Sequence, residues 1–301
     1  MASHTFSFMM FLYTEGYLFS TKLITDISDR WLKHITIIIW VEKILDSFWW
    51  SHGSILKIIV KLKEENIDTM STYLLVNLIA LSFPLILSFD RKVHFYTQWK
   101  YLFPSIFLTM LIFIPWDVIF TIRGIWGFNP LHLNGLKILR LPFEEWLFFI
   151  IVPYASLFTY EVLNNYIRRD LLGNLTTYIS GFLVFFLLIM ALLNFNKAYT
   201  SVIFSLTAIF IFIVEFLFKA KYMGRFYLAY LVILIPFLAV NGILTGSFIR
   251  EEIVWYNNAE NLSIRLFTIP IEDAAYGLLL ILMNTSFYEF FKGRKFFHKI
   301  A

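Results

Sequence analysis

The sequence predicts an all-α integral membrane protein with about seven transmembrane helices. Of its 301 residues, 59% are hydrophobic and 20% are aromatic, whereas only 15% are charged. A soluble domain would carry charge on about a quarter of its residues, so the excess apolar surface is expected to face lipid. The chain contains no Cys, which excludes disulfides, thiolate metal sites and Cys nucleophiles.

Seven apolar runs are long enough to cross a hydrocarbon core, which takes roughly 20 helical residues. They lie near residues 71–89, 102–122, 143–163, 176–194, 199–218, 226–246 and 271–291. Backbone groups in lipid must be paired within their own segment, so each run is expected to be helical. The loops on one side carry twice as many Lys and Arg residues as the loops on the other. The positive-inside rule then predicts a multi-pass plasma-membrane protein whose core starts outside and whose C-terminus is cytoplasmic.

Residues 1–69 do not share this regular pattern. Their apolar stretches are interrupted by Glu15, Glu42, Lys43 and Asp46, and their basic residues conflict with an outside location. The segment 54–65 has the spacing of an amphipathic surface helix. Two interpretations stay open: an extension upstream of a true start at Met70, or a peripheral amphipathic anchor.

The spans contain an internal repeat. The sequence Leu-Pro-Phe-Glu-Glu at 141–145 reappears as Ile-Pro-Ile-Glu-Asp at 269–273, and the same offset relates Asn129 to Asn257. Several motifs that share one offset indicate a duplication, which divides the core into a first repeat at 70–170 and a second at 171–301. The second and third predicted spans match the sixth and seventh, so each helix lies four spans, an even number, from its copy. The copies should therefore run in the same direction, about a pseudo-twofold axis along the membrane normal.

Each repeat places a pair of acids at the start of a helix. Carboxylates there complement the helix dipole, and Pro is favoured in the first turn, so a single motif could be purely structural. The second copy favours a functional interpretation, because intramembrane acids are costly and usually serve a function. Both helices start at the same membrane face, so the four acids are expected to converge on one site between the halves. These acids are Glu144, Glu145, Glu272 and Asp273.

Other repeated polar and aromatic residues precede the acid motifs. Asp117-x-x-x-Thr121 resembles Asn241-x-x-x-Thr245, and residues four apart share one helix face. The following loops contain aromatic and Asn residues at matching places: Trp126, Asn129, Trp255, Tyr256 and Asn257.

Several kinds of chemistry lack a visible basis in the sequence. There is no Gly-rich dinucleotide fingerprint or P-loop, and the six His residues lack metal-ligand spacing. The Asp residues are too scattered to hold Mg²⁺ against a pyrophosphate, and no basic cluster suggests nucleic acid. We therefore expect neither a metal nor another cofactor.

Three segments resemble the membrane-integral lycopene cyclases: LPFEEWLFF, NGILTGSFIREEIVWYN and IPIEDAAYGLLLILMNTSFYEFF. The resemblance extends over about residues 70–293 and includes both repeats, fused in one chain. It implies a non-redox cyclisation of the linear ends of lycopene to β-rings in carotenoid biosynthesis. Lycopene would come from the bilayer, membrane lipid would surround the protein, and other carotenoid enzymes are candidate partners. The four acids are then expected to be catalytic, and the repeated polar and aromatic residues to bind substrate.

The chemistry implied by this resemblance suits paired carboxyl groups. A carboxylic acid kept neutral by a low dielectric can protonate the terminal double bond, and the neighbouring double bond then closes the ring. A carboxylate next removes a proton to leave the ring olefin. Two adjacent carboxyl groups do not ionise together easily, so one can act as acid and the other as base. Six aromatic residues could stabilise the cation or simply pack the bundle: Trp116, Phe120, Trp126, Trp146, Trp255 and Tyr276.

Two alternative functions stay open. Parallel repeats with intramembrane acids also occur in membrane transporters. In transporters, however, such acids lie at broken helices in mid-membrane, whereas here they lie at helix starts near one face. The second alternative is another carotenoid-modifying membrane enzyme, such as a hydratase that works through a similar cation.

Overall fold

The structure is a computed structural model that describes residues 71–90, 93–167, 169–247 and 249–293. The N-terminal extension, residues 1–69, lies outside the described residues, so both interpretations of it stay predictions. The described part contains seven α-helices, and six helical segments are long and apolar enough to cross a membrane. The prediction of an all-α membrane protein is confirmed.

The helices follow the predicted spans closely. They are α1 Thr72–Leu87, α2 Trp99–Ile122, α3 Phe143–Tyr166, α4 Thr176–Leu193, α5 Ala198–Phe212, α6 Met223–Leu244 and α7 Glu272–Lys292. A 3-10 turn, Phe95–Gln98, leads into α2, and a π-helical turn, Ile213–Leu217, extends α5. Helix α1 has 16 residues, which span about 24 Å at the helical rise, somewhat less than a full hydrocarbon core.

Local sequence explains how α1 and α3 begin. Ser71 precedes α1, and its Oγ accepts a hydrogen bond from the backbone N–H of Leu74 at 2.9 Å. This side-chain cap satisfies one of the donors that a helix start leaves free. Pro142 precedes α3 in an extended conformation, and two acids follow in the first turn, where the helix dipole favours negative charge.

Short strands connect the helices at the end of the bundle where the acid motifs lie. They are β1 Trp126–Phe128, β2 Lys137–Ile138, β3 Leu141–Pro142, β4 Val254–Tyr256, β5 Arg265–Leu266 and β6 Ile269–Pro270. The hairpins β2–β3 and β5–β6 are equivalent by the repeat offset. Each hairpin leads directly into an acid-bearing helix, α3 or α7, and so fixes where that helix begins.

The remaining strand pair, β1–β4, joins the two halves about a local twofold axis. Its antiparallel register pairs Trp126 with Tyr256, Gly127 with Trp255, and Phe128 with Val254. By the repeat offset, Gly127 and Trp255 are equivalent positions that face each other, so exchanging the halves leaves the pairing unchanged. Hydrogen bonds from the N–H of Asn129 to Ile253 O at 2.8 Å and from Asn257 to Ile125 O at 2.9 Å extend the same symmetry.

The packing of the helices shows the same twofold symmetry as the strand pair. Helix α1 packs on α3 as α5 packs on α7, and α2 packs on α7 as α3 packs on α6. Each half thus comprises three helices, and its second helix packs against the third helix of the other half. The sequence comparison matched only two helices per copy, whereas packing extends the correspondence to α1 and α5. Helix α4 packs mainly on α5, and the repeat boundary at residue 170 stays a prediction.

Candidate active site

A cavity of about 40 Å³ lies where the two halves meet. Its polar lining consists of Asp117, Glu145, Asn241, Thr245 and Asp273. Its aromatic lining consists of Tyr73, Trp126, Phe128, Phe148, Tyr199, Tyr256 and Tyr276. The lining includes no Lys, Arg or His, so no cation within it neutralises the three carboxyl groups.

Glu145 is the acid that α3 contributes to the cavity. The hydroxyl of Tyr73, at the start of α1, donates a hydrogen bond to Glu145 Oε2 at 2.6 Å. Tyr73 is 1% exposed and Glu145 is 8% exposed, so the contact is shielded from solvent. The packing of α1 on α3 therefore holds one oxygen of this carboxyl group in place.

Asp273, at the start of α7, occupies the equivalent position in the second half and has more hydrogen-bond donors. Its Oδ1 accepts from the hydroxyl of Tyr199 at 2.5 Å, and its Oδ2 accepts from Asn241 Nδ2 at 3.0 Å and from the hydroxyl of Tyr256 at 3.1 Å. Burial, and then the charge of Asp273, raises the pKa of Tyr256 well above its ordinary value. The Tyr256 hydroxyl therefore stays protonated and available as a donor.

Asp117, on α2, is a third carboxyl group in the same cavity. The indole Nε1 of Trp126 donates to Asp117 Oδ1 at 2.5 Å. The other oxygen, Oδ2, is buried and has no partner within hydrogen-bond distance among the described residues, although the Thr121 hydroxyl, one turn along α2, interacts with this carboxyl group. In the second half, the position equivalent to Asp117 is Asn241, which donates to Asp273 instead. The two halves therefore contribute different groups at this one position.

Glu144 and Glu272, the first acid of each pair, lie outside the cavity lining. Glu144 Oε1 accepts from Ser71 Oγ at 2.6 Å and from the backbone N–H of Asn134 at 2.7 Å. Glu272 Oε1 likewise accepts from Thr200 Oγ1 at 2.6 Å and from the N–H of Leu262 at 2.7 Å. Both acids thereby tie the preceding loop to a neighbouring helix. Their predicted catalytic role stays a prediction.

The predicted substrate-binding residues divide into two groups. The cavity brings together Asp117, Trp126, Asn241, Thr245 and Tyr256, whereas Thr121, Asn129, Trp255 and Asn257 lie outside its lining.

The two loop asparagines hold backbone turns. Asn129 Oδ1 accepts from the N–H of Leu131, and Asn257 Oδ1 accepts from the N–H of Ala259. This is the side-chain turn that Asn commonly forms with the N–H two residues later. Neither side chain needs substrate to account for its position.

Trp126 lies at the centre of an aromatic cluster beside the carboxyl groups. Its ring centroid lies 4.9 Å from Phe120, 5.2 Å from Tyr199, and 6.3 Å from Trp116, Tyr256 and Tyr276. Of the other aromatic residues considered from sequence, Trp146 donates to Ile138 O at 3.2 Å, and Trp255 is 37% exposed. The electron-rich faces near the cavity therefore come from Trp126 and its neighbours.

Sequence reasoning missed the hydroxyl groups that hold the four acids. They are Ser71 and Tyr73 at the start of α1 and Tyr199 and Thr200 at the start of α5. A signal was present, because both spans begin with a Tyr and a small hydroxyl residue close together. The order of the two residues is reversed between the copies, so a comparison at one fixed offset does not align them.

A second polar cluster lies at the opposite ends of α3 and α7. The hydroxyl of Tyr160 donates to Glu289 Oε1 at 2.8 Å, and Lys292 Nζ contacts Glu161 Oε1 at 2.5 Å. Both contacts cross from one half to the other. They fasten the ends of the two helices at a distance of several turns from the cavity.

The comparison with protein families agrees with this two-part architecture. A family model described as lycopene cyclase matches residues 70–163 and 196–291, more than half of the chain. The chain belongs to the lycopene cyclase family. The two matched stretches cover α1–α3 and α5–α7, apart from the last residues of α3 and α7, and leave out α4. Searches of curated proteins and of solved structures found no match.

Family membership has two direct consequences. Together with six long apolar helical segments, it makes the chain a multi-pass membrane protein of carotenoid biosynthesis. It also indicates an enzyme that cyclises lycopene, as the resemblance in the sequence implied.

Proposed function

We propose that this lycopene cyclase converts the linear ends of lycopene to β-rings by acid-catalysed, non-redox cyclisation at the cavity between the halves. The main support for the proposal is that Asp117, Glu145 and Asp273 line one cavity together with aromatic side chains. Three carboxyl groups without a cation in the lining cannot all ionise easily, so the site is suited to hold a proton.

The arrangement supports each step of a proton-initiated cyclisation. A neutral carboxyl group donates a proton to the terminal double bond, which leaves a tertiary cation. The electron pair of the neighbouring double bond then closes a six-membered ring and moves the positive charge onto the ring. A carboxylate removes a ring proton, and the released electron pair forms the ring double bond. One proton enters and one leaves, so the product is an isomer of lycopene.

The aromatic cluster around Trp126 fits a cationic intermediate. Aromatic faces attract positive charge, and this attraction is worth about 2 kcal/mol or more in a desolvated site. Trp126 and Tyr276 both line the cavity, and Trp116 packs against Tyr276 at 5.4 Å between ring centroids. No side chain is required to form a covalent bond with the substrate in this scheme.

The substrate is expected to reach the cavity from the bilayer, and no cofactor is needed for the net reaction. The transporter alternative lacks a comparable supporting observation, because the acids lie in the first turns of α3 and α7 beside paired loops. A hydratase would use the same first proton transfer but would then add water to the cation.

Pigment analysis tests the proposal. The full chain would be expressed in a bacterium that accumulates lycopene, and the extracted carotenoids would be separated by chromatography. We expect β-ring products, with a double Glu145→Gln, Asp273→Asn variant of equal membrane abundance as the matched control. Unchanged lycopene from the wild-type chain would refute cyclisation, and a hydroxylated acyclic product would identify the hydratase instead.

A further inference from the structure

The two halves of the cavity are not chemically equivalent. Glu145 and Asp273 are equivalent by the repeat offset, and each accepts a hydrogen bond from a buried Tyr. The symmetry fails on α2 and α6, where Asp117 corresponds to Asn241. An acid and an amide at equivalent positions cannot share one role in proton transfer, because an amide does not donate a proton at neutral pH.

The hydrogen bonds of Asp117 fit a neutral carboxylic acid. Such a group has a carbonyl oxygen that accepts and a hydroxyl that donates. Asp117 Oδ1 accepts from Trp126 Nε1, whereas Oδ2 is buried and neither accepts nor donates within hydrogen-bond distance of the described residues. The residue is 2% exposed and lines the cavity. A proton on this carboxyl group would therefore lie at the cavity lining, where it could pass to a double bond.

The hydrogen bonds of Asp273 fit a carboxylate. Both of its oxygens accept, and the three donors are Tyr199, Asn241 and Tyr256. Hydrogen bonds to a carboxylate favour its charged form. The amide of Asn241 contributes one of them, so the acid-to-amide difference between the halves supplies Asp273 with an additional donor.

We infer that Asp117 is the proton donor of the cyclisation and that Asp273 is the base that completes it. Asp117 Oδ2 gives its proton to the terminal double bond, whose electron pair forms the new C–H bond. After ring closure, Asp273 removes a ring proton, and that C–H electron pair becomes the ring double bond. Asp117 is left ionised and Asp273 protonated, and exchange with water restores both groups. This assignment rests on the proposed function and refines it.

The consequence for the substrate is a fixed direction of approach. A single cavity with one donor and one base treats one end of lycopene at a time. The terminal double bond must lie toward α2 and the ring-forming carbon toward α7. A bicyclic product then requires the second end to occupy the same cavity in a later turnover.

Variants at Asp117 test the assignment in membranes that contain the full chain. Asp117→Asn keeps the side-chain shape and an oxygen that can accept from Trp126, but it cannot donate the proton. We expect its initial rate of ring formation per protein to fall at least about 100-fold, within the usual contribution of general acid catalysis. Wild-type rates from Asp117→Asn would overturn the assignment. Absence of ring formation by the wild-type chain would instead refute the proposed function.

A pair of equally sized variants separates proton donation from packing. Asp117→Glu and Asp117→Gln differ only in the carboxyl group, so both should accumulate in the membrane to the same level. We expect measurable ring formation from Asp117→Glu and none from Asp117→Gln. Equal activities, or equal loss of activity at equal membrane abundance, would overturn the assignment.

Labelling in heavy water separates the donor from the base. Asp273→Asn keeps the donor, so the cation can form and return to an acyclic carotenoid that carries deuterium. Asp117→Asn should leave the recovered lycopene unlabelled. Deuterium in lycopene recovered from Asp117→Asn would contradict the assignment of Asp117 as the donor.

Discussion

Glu144 and Glu272 are held in the same way in the two halves, each by one hydroxyl group and one backbone N–H on Oε1. Both side chains are fully buried, and Oε2 of each has no hydrogen-bond partner among the described residues. Both join the loop before an acid-bearing helix to the first helix of the same half. The contacts favour a positioning role for these two acids.

This arrangement predicts that Glu144→Gln and Glu272→Gln lower stability more than they lower activity. The amide oxygen can still accept both hydrogen bonds, but the new NH₂ group is buried where the carboxyl oxygen had no partner. An unsatisfied buried group costs about 1–3 kcal/mol. Thermal unfolding in detergent and ring formation per folded molecule measure the two effects separately. Loss of ring formation at unchanged stability would instead support the catalytic role predicted from sequence.

Glu145→Gln and Asp273→Asn should lower activity more than they lower stability. Each change keeps the shape of the side chain and removes only the carboxyl group at the cavity. We expect membrane insertion to be normal in both variants. Cyclised carotenoid should fall at least about 100-fold in Asp273→Asn, which removes the base. It should also fall in Glu145→Gln, because a Glu145 carboxylate in the same cavity favours the protonated form of the donor Asp117. Chromatography of extracted pigments, normalised to protein in the membrane, measures this.

Glu161→Gln and Glu289→Gln are matched controls for these changes. They remove a carboxyl group from the same two helices, at the ends that Tyr160 and Lys292 fasten. Both should retain cyclisation. Wild-type yields from Glu145→Gln and Asp273→Asn would show that neither acid is needed for the chemistry.

Gly127→Ala should disrupt the strand pair that joins the halves. A Cβ atom at this position would clash with the indole ring of Trp255, which lies directly opposite on the paired strand. Overpacking of this kind costs about 1–3 kcal/mol, so we expect a lower unfolding temperature and reduced ring formation. Gly181→Ala, on α4, is the control, because its nearest contact would be Phe216 at 4.0 Å. Equal unfolding temperatures for the two variants would contradict this role of Gly127.

The loops 129–138 and 257–266 should lie on the same side of the membrane. Strands β1 and β4 pair directly, so the loops that follow them begin at one end of the bundle. We expect tags in both loops to be accessible from outside, and tags in 168–174 and at the C-terminus to be accessible from the cytoplasm. Protease accessibility in right-side-out vesicles measures this. Accessibility of both sets from the same side would contradict the predicted topology.

The sequence by itself determined the helices, the repeat and the set of acids. Length and hydropathy of a span are local properties, so α2 to α7 lie where apolar runs predicted them. The motifs at 141–145 and 269–273 indicated the duplication, and their position at helix starts indicated that the acids would converge.

Only the tertiary structure decided which acid of each pair faces the cavity. Glu144 and Glu145 are neighbours in one helical turn and point about 100° apart, and nothing in the motif says which face meets the other half. The packing of α1 on α3 and of α5 on α7 decides this, because it brings hydroxyl groups from distant segments to all four acids. The different surroundings of Asp117 and Asn241 depend likewise on contacts between helices. These contacts join residues that are far apart in the sequence, so the sequence of either half alone does not predict them.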